Sequence, residues 1–419
     1  MKDLSFSLPS ATEIRHQIRS GQRTALEITR ACLGRIAQRD PMVRAWISLN
    51  PEAEAQAAAI TADDPRPLAG VPVAVKDMIE TRDLPTTHNS PLYGGFRPAA
   101  DAPCVELLRA AGAIILGKTD TTEFAACGRD AMTANPFDPA RTPGGSSAGT
   151  AAAVADFHVP LGLGTQTGGS TIRPAAFCGI PALKPSWGLI STEGVKRYAV
   201  SFDTVGLFAR EITDLVLLAD VYNLPEAAPL REGRLRLGLC PTPYADQLAP
   251  EMRAVLDGLA KDLAPVADIT PFDLPADMAE LDALHRSVQH CEGASAFLNL
   301  ARARGTLLHD DFHARVDLRE GFTQRQNFEA YDALARHRMT VETMLEEVDF
   351  IIAPSAPGFA PLGRGAGNPR FNALWTALQL PVLNLPVSGQ TLPLGVSLIA
   401  RRADDRRLLE AAPKLLPYL

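Results

Sequence analysis

The 419-residue chain is long enough to bury a large core, and length alone leaves one, two or three domains open. Its 41 Lys and Arg against 48 Asp and Glu give a net charge of −7 without a basic block, which disfavours nucleic-acid and anionic-membrane binding and favours a small-molecule partner. Cys32, Cys104, Cys127, Cys178, Cys240 and Cys291 are scattered with no CxxC pair, so they read as reduced, mostly buried thiols and argue against a structural zinc. The N-terminal segment has no apolar leader core, and no run approaches the ~18 apolar residues that span a bilayer, so a cytoplasmic protein is expected.

In chain order, Ser10-Ala-Thr-Glu13 and Thr24-Ala-Leu-Glu27 read as capping boxes, each opening an amphipathic helix. After the polar loop 61–66, the run from Leu68 to Val75 reads as a buried strand that ends in Lys76-Asp77. A helix over Cys104–Ala111 and a second buried strand over Ala113–Leu116 follow. From Arg141 to Gly179 small residues dominate, which lets backbones approach one another and a ligand. Leu235–Cys240 is a further strand, 251–347 reads as largely helical and more charged, and strands return at Val348–Pro354 and Leu394–Ala400. Helices alternating with buried strands predict an α/β fold: one large mixed sheet, mostly buried and covered on both faces by helices. We expect a single domain over 1–419, a core with the chemistry over 61–220, and a mainly helical pocket region over 245–347.

Gly112-Ala-Ile-Ile-Leu-Gly-Lys-Thr119 matches the phosphate-binding pattern GxxxxGK[ST], but its intervening residues demand a buried strand where that pattern needs a loop. The eight histidines show no metal spacing; His285 and His290 read as core or solvated residues. No histidine stands near either glycine-serine cluster, which leaves lysine as the base. Three elements remain: Lys76 at a strand end, Gly144-Gly-Ser-Ser147 and Gly168-Gly-Ser170. A serine hydroxyl needs a base, and a lysine serves when apolar burial depresses its pKa toward neutrality. Glycines before Ser170 would let successive backbone N–H groups converge on an oxyanion. Each piece alone also has a plain reading: a solvated strand-end charge, a helix cap and a turn.

In combination and order they resemble the amidase signature family of serine amidohydrolases. The resemblance rests on Pro72-Val-Ala-Val-Lys-Asp77, on the two glycine-serine turns, and on Leu68-Ala-Gly70, Gly117–Phe124, Asn135-Pro136 and Leu392-Pro-Leu-Gly395, and covers nearly the whole chain. It implies the amidase signature fold, Ser170 as nucleophile, Ser146 as the bridging serine after a cis peptide, and Lys76 as base. It further implies an acyl-enzyme, an oxyanion hole of the Thr167, Gly168 and Gly169 amides, and no metal or organic cofactor.

Most family members read D-x-G-G-S-[IV]-R-x-P at the nucleophile, whereas this chain reads Gln166-Thr-Gly-Gly-Ser-Thr-Ile-Arg-Pro174. The aspartate that can neutralise the arginine is a glutamine, and Arg173 stands one place further along. This variant resembles the malonamidase branch, which implies that Arg173 receives the carboxylate of a small, malonamate-like amide. Arginine's planar fork suits a carboxylate. Gln289, on an expected helix over Arg286–Gly293, is a further candidate for the acyl side, with a solvated helix face as its plain reading. The rival readings are a hydrolase of neutral or aryl amides, esters or carbamates, the amidotransferase subunit that releases ammonia from glutamine, and a noncatalytic binding protein. The expected partner is the small-molecule amide, without nucleic acid or membrane, and a homodimer stays open.

Overall fold

Short runs rich in Val, Ile and Leu become the strands of one sheet, and their order decides which loops meet. They are Trp46–Leu49 (β1), Pro72–Lys76 (β2), Ile114–Thr119 (β3), Leu161–Gln166 (β4), Ala182–Lys184 (β5), Thr204–Ala209 (β6), Leu235–Leu239 (β7), Ala267–Pro271 (β8), Phe350–Pro354 (β9), Val382–Val387 (β10) and Leu394–Ile399 (β11). The computed structural model describes residues 7–419, so the first six residues of the N-terminal segment lie outside it.

The eleven strands form one mixed sheet in the order β1-β3-β2-β4-β6-β5-β10-β11-β9-β7-β8. β2 lies parallel between β3 and β4, while β4 is antiparallel to β6. β10 and β11 join antiparallel between β5 and β9, and β9, β7 and β8 are parallel neighbours. The chain therefore has the α/β fold expected, with early and late strands sharing one sheet. Every residue of β2, β3, β4, β6, β9 and β11 is buried, as in a sheet with both faces covered. Each fully buried Val or Leu of these strands contributes about 1.5–3 kcal/mol.

Four local expectations need correction. Leu68–Val71 forms a turn, closed by the Val71 amide on the Leu68 carbonyl with Gly70 at φ +80°, so β2 starts only at Pro72. The Ser10 box is half formed: Ser10 accepts from the Glu13 amide, but Glu13 turns to Gln17; the Thr24 box is complete. The region 251–347 contains strand β8, Ala-Asp-Ile-Thr-Pro at the sheet edge, which is mostly exposed and so lacks the buried apolar run that marks a strand. The helix carrying Gln289 runs from Leu281 to Arg304, well beyond the expected span.

Candidate active site

Parallel neighbours β2 and β4 end side by side, the place where open α/β sheets gather ligands. β2 delivers Lys76, and β4 runs into the turn Thr167–Thr171 and the helix Ile172–Cys178. The GGSS turn enters the helix Ala148–Ala155, whose small residues let it lie close to its neighbours. A Cβ on Gly149 would come within 2.3 Å of the Ala45 carbonyl oxygen and 2.4 Å of the Asp120 nitrogen. Ser147 ties this turn to β4, its Oγ donating to the Thr165 carbonyl and accepting from the Thr165 amide, both at 3.2 Å. The peptide between Gly145 and Ser146 is cis.

Lys76 is fully buried, and its Nζ lies 2.7 Å from Ser146 Oγ and 2.7 Å from Thr165 Oγ1. Burial holds its pKa well below the usual lysine range; the Asp203 charge opposes that shift and Arg173 adds to it. A lysine with its pKa lowered in this way gives up its proton, and so exposes a lone pair to a neighbouring hydroxyl, at lower pH than an exposed lysine does. Ser170 sits on the β4 turn with 8% of its surface exposed, and its hydroxyl makes no hydrogen bond among the described residues. The structure thus joins Lys76 to Ser146 directly, while the link from Ser146 to Ser170 is open. Such contacts commonly tighten only when substrate binds.

Arg173 bridges the two turns. Its Nη2 donates to the Gly145 carbonyl, and its Nη1 lies 3.2 Å from where a Cβ on Gly169 would stand. The residue is 3% exposed, forms no ion pair among the described residues, and leaves Nε and Nη1 buried without hydrogen-bond partners. Burial alone pushes its pKa down to about 10, so it stays charged at neutral pH. Buried charges are ordinarily paired, so a lone guanidinium between two glycine-serine turns is chemically suited to take an anion.

Gln166 does not face Arg173. Its Oε1 accepts from the amides of Thr171 and Ile172, at 2.8 and 3.1 Å, and caps the helix that carries Arg173. Its Nε2 donates to Thr376 Oγ1 at 2.9 Å, and Thr376 donates on to the Gly168 carbonyl at 2.7 Å. Thr167 is held by its hydroxyl, 2.5 Å from Asp203 Oδ1, and by its carbonyl, 2.9 Å from His285 Nε2. Asp203 also accepts from the amides of Tyr198 and Ala199, at 2.8 and 3.1 Å. Burial raises its carboxyl to about 6, against the pull of Thr167 and these amides.

The amides of Thr167, Gly168 and Gly169 donate to no acceptor among the described residues. Gln289 is half-buried, one turn along from His285, and its side chain makes no hydrogen bond among the described residues. Asp203, His285, Thr165 and Thr376 also line this centre; Thr165 directly precedes Gln166 in the nucleophile stretch and Asp203 opens the run Asp203-Thr-Val-Gly-Leu207, whereas no sequence motif marks His285 or Thr376. For His285 a weaker signal exists: it shares a helix face with Leu281 and Val288, where an apolar residue would otherwise stand. His290 is likewise buried, but it packs on Phe322 and faces Glu320 rather than the turns.

The phosphate-loop match forms no loop. Residues 114–119 are strand β3, and Lys118 Nζ donates to the Ile79 carbonyl and Thr86 Oγ1, both at 2.6 Å, with Asp77 Oδ1 at 3.4 Å. The cysteines are free thiols, with Cys127 alone half-buried and the others buried.

The sheet and its helices have the fold of known amide hydrolases, and the amidase family model matches residues 27–409. The chain belongs to the amidase family and is an amidase-type enzyme. It is 33% identical to a glutamyl-tRNA(Gln) amidotransferase subunit from Chloroflexus aurantiacus, over 96% of this chain and 94% of that protein. Among solved structures it resembles 6-aminohexanoate cyclic dimer hydrolase in complex with substrate, with a TM-score of 0.86, 25% identity, and 98% and 97% of the two chains covered. Peptide amidase from Stenotrophomonas maltophilia gives a TM-score of 0.82 at 25% identity, with 96% and 95% covered. No helix among the described residues is long and apolar enough to cross a membrane.

Proposed function

We propose that the chain hydrolyses a small amide bearing a carboxylate on its acyl side, malonamate-like in length, through an acyl-enzyme on Ser170. The observation that carries this reading is Arg173: a buried guanidinium with no carboxylate partner among the described residues and two orphaned nitrogens, set against the nucleophile turn. An internal carboxylate on this arginine would have favoured neutral or aryl amides. The substrate carboxylate would accept from Arg173, and Gln289 is a further contact on the acyl side.

In the proposed reaction Ser170 Oγ attacks the amide carbonyl while its proton passes to Ser146 Oγ, whose own proton goes to neutral Lys76. The amides of Thr167, Gly168 and Gly169 receive the oxyanion, each donor being worth about 2.7–4 kcal/mol in systems of this kind. Proton return through Ser146 releases the amine, and water attacking the acyl-enzyme by the same relay releases the diacid. The relay draws on no metal or organic cofactor.

A second reading, an ammonia-releasing amidotransferase component, is favoured by the name of the Chloroflexus relative. Glutamine also carries a carboxylate, but three carbons separate it from the side-chain amide. An arginine packed on the residue beside the nucleophile suits a shorter spacer. Ammonia release from malonamate, succinamate, glutamine and acetamide, with aniline release from an anilide, tests the choice: the two short acids should lead, and preference for glutamine would sink the first reading. Ser170→Ala should abolish turnover on every substrate.

A further inference from the structure

The glycine turn needs more than flexibility to work as an oxyanion site, because glycine peptides left free would sample many orientations. In a trans peptide the carbonyl and the next N–H point in opposite directions, so fixing one aims the other. Here the anchors fall on successive carbonyls. The Thr167 carbonyl is held by His285 Nε2 at 2.9 Å, the Gly168 carbonyl by Thr376 Oγ1 at 2.7 Å, and the Gly169 carbonyl by the Arg173 amide at 3.0 Å. The last bond is ordinary helix geometry; the first two come from side chains on remote helices, Leu281–Arg304 and Arg370–Ala377.

We infer that His285 and Thr376 are positioning residues for the oxyanion site, His285 aiming the Gly168 N–H and Thr376, itself oriented by Gln166, aiming the Gly169 N–H. This rests on the reading of Ser170 as nucleophile. His285 is buried, stacked on Phe202 at 4.5 Å between ring centroids, and must carry its proton on Nε2 to donate to a carbonyl. A protonated imidazole would keep that N–H, so the anchor is indifferent to pH. Thr376 has a single proton to donate. Its Oγ1 also lies 3.1 Å from the Asn372 carbonyl, and the Gln166 Nε2–H on its lone pair turns the proton toward the closer Gly168. An aspartate at position 166 could accept from the helix amides but has no proton for Thr376. The departure from the usual pattern thus supplies a donor that the common residue lacks.

The test uses a fluorophosphonate probe, which forms a Ser170 Oγ–P bond and expels fluoride while the serine proton passes to Lys76 through Ser146. Its phosphoryl oxygen draws on the same amides, and labelling is read by intact mass with no need to know the substrate. Thr376→Val and His285→Phe should each slow labelling by about 10- to 100-fold, the scale of a small misplacement of reacting groups. Thr376→Ser and His285→Gln, which keep a donor, should recover most of the rate. Gln166→Glu, which keeps the acceptor and loses the donor, should slow labelling less and in the same direction. With whichever of the amides the wild type cleaves, kcat should fall while KM stays in place. Wild-type rates in folded Thr376→Val and His285→Phe, or in Gln166→Glu if those two fail to fold, overturn the inference alone. A wild-type enzyme left unlabelled at Ser170 overturns the nucleophile assignment and the inference with it.

Discussion

Two lysines stand at the C-terminal ends of adjacent strands of the same sheet, Lys76 last in β2 and Lys118 next to last in β3, fully buried and one residue apart in register, yet their surroundings make them opposites. Lys118 on β3 has a carboxylate 3.4 Å away at Asp77 and two oxygen acceptors, and burial brings its pKa down only to about 8. Lys76 on β2 has two hydroxyls and, among the described residues, no carboxylate within ion-pair reach; Asp203 acts on it from a distance, and its pKa lies well below the usual range. Burial alone therefore does not make a base. What separates the two is whether the desolvated ammonium is given an anion: the lysine beside a carboxylate keeps its proton to higher pH, and the one without is the better candidate for a base.

Exchanging the two lysines for methionine should separate their roles. Lys76→Met should lower kcat by about 10⁴-fold or more, as loss of a proton-transfer partner does in other serine hydrolases. Its stability should change by less than about 1.5 kcal/mol, since a buried amine with no carboxylate partner is replaced by an apolar group of similar volume. Lys118→Met should do the reverse, leaving Asp77 buried without its cation and lowering stability by about 3–5 kcal/mol, with kcat retained in the folded fraction. Urea denaturation beside an amide assay reads both, and similar profiles for the two variants would break the comparison.

The same contrast predicts the pH response. Lys76 has a depressed pKa, so its active neutral form is present above that pKa and is lost as pH falls through it; kcat/KM should decline on acidification and level off toward alkaline pH. A rate that rises on acidification would contradict a neutral lysine base. The smallest effect concerns Asp203, whose charge raises the Lys76 pKa. Asp203→Asn should move the acid limb of the profile to lower pH, and a move to higher pH would show that another group sets it.

The sheet is legible in the sequence because its strands are continuous apolar runs, and the candidate site because Lys76 ends such a run while Ser146 and Ser170 each follow a pair of glycines. β8 is not legible, since a mostly exposed edge strand that mixes polar and apolar residues lacks the buried run that marks the others. Nor are the roles of His285, Asp203 and Thr376, which reach the turn from distant points of the chain by single hydrogen bonds. Local sequence carries no trace of such pairings. In the sequence the glutamine at position 166 reads as a lost partner for Arg173; in the structure it faces elsewhere, capping one helix and donating to a threonine on another.

Arg173 as the receiver of a substrate carboxylate is the central claim, and one comparison tests it most directly: kcat/KM of wild type and Arg173→Ala on malonamate and on acetamide. A charged hydrogen-bonded contact is worth about 1.5–3 kcal/mol, so malonamate should lose roughly 10- to 150-fold while acetamide, having no carboxylate, changes little. An equal loss on both substrates, or none on malonamate, would contradict it.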